Sequence, residues 1–123
     1  MSLLMKNKTT CSFFLTLSFL IVSQAYGEDI SKFQTLYSKG TSSVMLSGIK
    51  APSKIQMSNV GNNVCERKSF CLIWFFDDPK KAKAGVKKAK AGNWFDPIPG
   101  LIAVYAKNKR HNQIICYEPN GSC

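Results

Sequence analysis

Cys65-Glu-Arg-Lys-Ser-Phe-Cys71-Leu-Ile-Trp-Phe-Phe76 decides the reading of this chain, because a charged loop bracketed by two cysteines runs straight into the most apolar segment. Leu72 to Phe76 are branched or aromatic, are bounded by the turn-forming Asp77-Asp78-Pro79, and are too few for a helix of their own. They predict a buried β-strand. The strand is scaffold, and the loop before it is where function is first sought.

Upstream, Ser43 to Ile49 and Lys54 to Val60 read as two short strands separated by Lys50-Ala-Pro-Ser53. In the second, Ile55 and Met57 alternate with Lys54, Gln56 and Ser58, the pattern of a half-exposed strand. Gly61-Asn62-Asn63 then turns the chain into the cysteine loop. Between Glu28 and Lys39 the apolar residues Ile30, Phe33, Leu36 and Tyr37 fall at helical spacing, with Asp29 as N-cap and Gly40 as stop. This predicts a short N-terminal helix packed on the sheet.

Downstream, Asp77 to Gly92 admits two readings. One is a helix with Asp78 as N-cap, Pro79 in its first turn, and Ala82, Val86 and Ala89 on one face. The other is a hairpin through Asp-Asp-Pro-Lys, favoured here because Gly85 interrupts the helix and its inner face is nearly all alanine. Lys-Lys-Ala-Lys-Ala-Gly occurs from Lys80 and again from Lys87, which is local low complexity and too short for a repeat fold. Asn93 to Gly100 is a loop carrying Trp94 and Phe95. Leu101 to Lys107 and Gln113 to Glu118 pair as strands across the basic turn Asn108-Lys-Arg-His-Asn112. The expected class is α+β, a small disulfide-stapled antiparallel sheet with a helix against it.

Lys6 and Lys8, an uncharged apolar run from Phe13 to Val22, and the small residues Ala25 and Gly27 follow the order of a secretory signal, with cleavage expected after Gly27. That run is shorter than the roughly 20 residues of a spanning helix. Residues 28–123 then form one exported domain with no transmembrane segment, periplasmic or extracellular. Without Cys11 the mature chain keeps Cys65, Cys71, Cys116 and Cys123, an even set that reads as two disulfides. Pairing Cys65 with Cys71 and Cys116 with Cys123 closes two short loops and is preferred; crossed pairings would tie the C-terminus to the central strand.

Lys and Arg number 17 against 7 Asp and Glu, and removal of Lys6 and Lys8 leaves 15 against 7, a net charge of +8. Such a field favours encounter with an anionic surface or an acidic protein. Lys80, Lys81, Lys83, Lys87, Lys88 and Lys90 are the candidate polyanion contacts. Lysine supplies nearly all the charge, which suits diffuse attraction better than base readout, so no specific nucleic-acid recognition is expected. Alanines stand where an interfacial helix would carry leucine or tryptophan, so deep membrane insertion is not expected either.

Catalytic chemistry finds little support in the residues. His111 is the sole histidine and sits beside Arg110 in a turn, without an orienting acid nearby in sequence. Adjacent Asp77 and Asp78 would point to opposite faces of a strand and serve better as turn formers than as an acid–base pair. The Cys-x5-Cys and Cys-x6-Cys spacings are wider than structural zinc patterns. No catalytic residue, cofactor or metal is therefore assigned, and the chain is read as a non-enzyme.

Cys65-x5-Cys71 followed by Leu-Ile-Trp-Phe-Phe-Asp, then Lys81-Ala-Lys-Ala-Gly-Val86 and Trp94-Phe-Asp-Pro97, resembles the corresponding run in the Ivy family, secreted inhibitors of vertebrate-type lysozymes. The resemblance implies a helix against an antiparallel sheet with a projecting, disulfide-closed loop. The family's loop has a histidine and four residues between its cysteines, whereas this one has five, Glu66-Arg-Lys-Ser-Phe70, and no histidine. A basic inhibitor would also be repelled by a basic lysozyme. The expected function is an inhibitor-like binding protein whose loop meets an unknown protein partner through Arg67 and Phe70, with Lys68 steering. The alternative is attachment to a polyanion or membrane surface through Lys80–Lys90.

Overall fold

A computed structural model describes residues 30–95, 98–117 and 123. Five strands, β1 (Phe33–Lys39), β2 (Ser42–Ser47), β3 (Phe70–Phe76), β4 (Ala103–Asn108) and β5 (His111–Cys116), form one sheet in that order across the fold. Helix α1 (Lys54–Val64) lies between β2 and β3, and α2 (Pro79–Lys90) between β3 and β4. The class is α+β. The signal-peptide reading falls outside the described residues.

β3 is the central strand, and its alternation builds two cores. Cys71, Ile73 and Phe75 face α1 together with Phe33, Met45 and Tyr105. Leu72, Trp74 and Phe76 face α2 together with Val44, Leu101 and Val104. Because both faces are covered here, the strand reads as a continuous apolar run. The sheet departs from the expected all-antiparallel arrangement at one place: β2 and β3 are parallel, Val44 standing opposite Trp74. The reason is α1, whose crossover returns the chain to the end of the sheet where β2 began.

That helix corrects the expected strand over Lys54–Val60 and the expected turn at Gly61–Asn63. Ser53 is its N-cap: the Gln56 N–H donates to Ser53 Oγ at 3.1 Å and the Ser53 N–H to Gln56 Oε1 at 2.9 Å. This reciprocal box satisfies two amides that a helix start leaves unpaired. Met57, Val60 and Gly61 are buried and Val64 packs beside them, a helical stripe. Ile55, which suggested alternation, is 73% exposed. At the other end the Lys107 ammonium donates to the carbonyls of Cys65 at 3.0 Å and Glu66 at 3.3 Å, placing a cation at the negative end of the helix. Ser53→Ala is expected to cost about 1 kcal/mol, and thermal unfolding should register it as a midpoint lowered by roughly 4–8 °C.

Two further expectations change. Residues 79–90 are a helix, not a hairpin: Asp78 caps it by accepting from the Lys80 N–H at 2.9 Å, and Pro79 sits in its first turn. Gly85 belongs there because a β-carbon would stand 2.5 Å from Phe76 Cζ, so the glycine lets α2 approach the sheet. Phe33–Lys39 is a strand, and helical conformation before it is confined, among the described residues, to Ile30 and Ser31. A bulge between Thr35 and Tyr37 breaks the alternation of β1. Leu36 and Tyr37 both pack on the α2 side while Phe33 packs on the α1 side.

Both disulfides follow the local scheme, Cys65 with Cys71 and Cys116 with Cys123. The second brings Cys123 to the start of α1, where its backbone oxygen accepts the Lys54 N–H at 3.3 Å.

Candidate functional site

Three connections meet at one end of the sheet, where β2, β3 and β5 begin and β1 and β4 finish. They are the Gly40–Thr41 turn, the Cys65–Cys71 loop and the Lys109–Arg110 turn. Backbone hydrogen bonds join them: the Leu72 N–H donates to the Thr41 carbonyl at 2.9 Å and the Lys109 N–H to the Ser69 carbonyl at 2.6 Å. Within the loop the Lys68 N–H donates to the Cys65 carbonyl at 3.0 Å, and both bridging cysteines are buried. With Lys107 holding two more carbonyls, the loop is fixed at its base and its tip faces water.

The side chains singled out from the sequence are brought together at this tip. Arg67 is exposed and Lys68 half-buried. Phe70, although it opens the central strand, is 51% exposed. Beside them stand Lys109, Arg110 and His111, all exposed. The sequence placed these three in a basic turn without linking them to the loop. The β3–β4 and β4–β5 registers make that link, setting Phe70 opposite Asn108 and Asn108 opposite His111. Arg67, Lys68, Lys109 and Arg110 outnumber Glu66, so this end of the sheet is positive. An arginine and a half-exposed ring on a fixed base suit recognition of a carboxylate-bearing surface. His111, exposed beside Arg110, has no acid positioned to orient it among the described contacts, as proton transfer would require.

The second cluster from the sequence lies on α2. Its six lysines are exposed and spread over the solvent half of the helix, and no acidic residue occupies its first turn. Asp78 is the helix cap, and Asp77 Oδ2 accepts the Ala51 N–H at 2.8 Å. The two aspartates are thus structural, in keeping with a turn-forming role. Lys90 lies 5.9 Å from the Tyr37 ring centroid, a cation–π contact. Along one flank Lys80, Lys81, Ala84 and Lys88 face Ile98 and Pro99 across a cleft of about 290 Å³.

The loop after α2 holds Trp94 and Phe95, the aromatics that the sequence places in a loop. Trp94 stacks on Tyr37 with ring centroids 6.2 Å apart and tilts against Trp74 at 5.3 Å. Its neighbour Phe95 is 90% exposed. With Leu72, Val104, Ile115 and Tyr117 it lines a shallow groove of about 160 Å³ on the sheet face that α2 leaves open. Among the described residues, no helix is long and apolar enough to cross a membrane, and no group of three His, Cys, Asp or Glu side chains could hold a metal ion. Set against protein-family models, curated proteins and solved structures, the chain matches none of them.

Proposed function

We propose that this protein is an exported, non-enzymatic binding protein that presents the Cys65–Cys71 loop to a protein partner with an acidic surface. The observation that carries the reading is Phe70, a half-exposed ring beside exposed Arg67 on a loop closed by a disulfide and tied to both neighbouring turns. Such a loop is already ordered, so little conformational entropy is lost on association. Aromatic and arginine anchors dominate interface energies, while Lys68, Lys109 and Arg110 would speed encounter with an acidic patch. Two disulfides and the leader-like N-terminal sequence support export.

The Ivy-like pattern makes a vertebrate-type lysozyme the first enzyme to try. The positive loop end and the missing loop histidine favour an acidic partner over that basic one. The test is quantitative binding to the protein that immobilised wild type captures from an extracytoplasmic fraction. Arg67→Ala/Phe70→Ala is expected to weaken it by at least about 30-fold, the equivalent of one strong anchor pair. Lys83→Gln/Lys87→Gln on α2 should bind as wild type does. Equal affinity of the loop variant and wild type would remove the loop from the account.

A further inference from the structure

One side of the sheet carries both a cationic helix and exposed aromatic residues, and neither belongs to the loop end. The lysines of α2, the Trp94–Phe95 segment and the open groove all lie over the face formed by Leu72, Trp74 and Val104. Trp94 is wedged between Tyr37 and Trp74, and its fixed position holds adjacent Phe95 at the surface, 90% exposed. Ile115 and Tyr117 add exposed apolar area beside it. The cleft between α2 and Ile98–Pro99 has three lysines around Ala84, Ile98 and Pro99, so cationic groups surround an apolar floor. The stem of Lys81 passes close over Gly100, where a β-carbon would overlap it.

Charge alone would suit any polyanion. Charge joined to an exposed ring and an apolar floor suits an anionic phospholipid surface, where phosphates meet the ammonium groups while Phe95 and the cleft take up the region just below the headgroups. We infer that the α2 side of the protein docks on anionic bilayers, with Lys80, Lys81 and Lys88 binding lipid phosphates and Phe95 inserting at the interface. The helix lies on the membrane without entering its core, because its own apolar residues are alanines already turned towards the sheet. This inference does not rest on the loop and stands or falls separately from it.

Co-sedimentation of the oxidised protein with vesicles tests it. Binding is expected to vesicles of phosphatidylglycerol and phosphatidylcholine, to be absent with phosphatidylcholine alone, and to fall steeply with salt. Lys80→Gln/Lys81→Gln/Lys88→Gln should weaken it on the order of 100-fold, since each lysine near a charged bilayer contributes about a five-fold factor. Phe95→Ser removes a ring that supports no packing and should lower vesicle binding by about ten-fold, while leaving binding to duplex DNA and heparin unchanged. Failure to bind anionic vesicles at low salt would overturn the inference. Vesicle binding that Phe95→Ser leaves intact would overturn it too, by reducing the contact to bulk charge.

Discussion

Trp74→Ala is expected to lower the midpoint of thermal unfolding by at least about 12 °C, the largest effect of any single truncation on the α2 side. Truncating a fully packed tryptophan costs about 3–5 kcal/mol, and for a domain of this size each kcal/mol shifts the midpoint by roughly 4–8 °C. Trp74 is buried between Val44 and Val104 on neighbouring strands and meets both Phe76, at 6.4 Å between ring centroids, and Trp94. The inner face of α2 offers only Ala82, Gly85, Val86 and Ala89, so the helix gains little from its own side chains. The sheet supplies the apolar volume against which it docks. Circular dichroism on wild type, Trp74→Ala and Phe95→Ala makes the comparison, and the exposed Phe95 should shift the midpoint hardly at all. A loss of under about 4 °C for Trp74→Ala, less than one kcal/mol, would mean that the aromatic cluster does not clamp α2.

Gly61→Val is expected to destabilise the fold as well, against the direction that helix propensity suggests. A glycine inside a helix ordinarily costs about 1 kcal/mol relative to alanine, so replacing it should help. Here a β-carbon would fall within 2.6 Å of three carbons of the Tyr105 ring. That ring cannot step aside: it is buried, and its hydroxyl donates to Asn62 Oδ1 at 2.7 Å, an oxygen that also accepts from Asn112 Nδ2 at 3.0 Å. Overpacking typically costs about 1–3 kcal/mol, and a valine adds two methyl groups beyond the clashing carbon. The overlap therefore outweighs the propensity gain, with a net loss of about 2 kcal/mol expected in denaturant unfolding. In the double variant Gly61→Val/Tyr105→Ala the loss should fall well short of the sum of the two single changes, as coupled neighbours show. Additive losses would show that the ring is not what excludes a side chain at Gly61.

The same contacts explain which parts of the fold were legible in the sequence. β3 and the β4–β5 hairpin were readable because apolar runs bounded by turn residues have one low-energy reading at their length. Both disulfides were readable because two cysteine pairs lie close in sequence. The sequence pattern hides α1 and leaves α2 as the second choice to a hairpin, for related reasons. Ile55 is an exposed apolar residue that mimicked strand alternation, and the stripe Met57, Val60, Gly61, Val64 includes a glycine that carries no hydrophobic signal. Gly85 counted against α2 from propensity alone, whereas its reason is the Phe76 ring, which lies outside the helix. The helical spacing of Ile30, Phe33, Leu36 and Tyr37 arises because a bulge between Thr35 and Tyr37 breaks the alternation of β1, which starts only at Phe33. At α2 and β1 a tertiary contact overrides the local pattern, whereas α1 carries a local signal, the Ser53–Gln56 capping box, that the strand-like alternation around Ile55 masks.

For the candidate site the division is similar. Arg67, Lys68 and Phe70 could be chosen from the sequence because the cysteines that flank them announce a closed loop. Lys109, Arg110 and His111 join them only through the register of β4 on β3, which no local pattern specifies. Phe95 could not be distinguished from Trp94 by composition. One ring packs on Tyr37 and Trp74 while its neighbour is left in water.

The strands lie across the sheet in the order they leave the ribosome, and each cystine spans only 6 or 7 positions. Ring closure is easier the shorter the loop, by about 0.6 kcal/mol per halving, so nearby thiols meet sooner than distant ones. A newly made chain in an oxidising medium would thus be biased towards its native cross-links before the sheet assembles, with little need for an isomerase to sort them. Of the four strand pairings, β1–β2 and β4–β5 join neighbours across two-residue turns, and such local contacts form sooner than the distant pairings of β3 with β2 and β4.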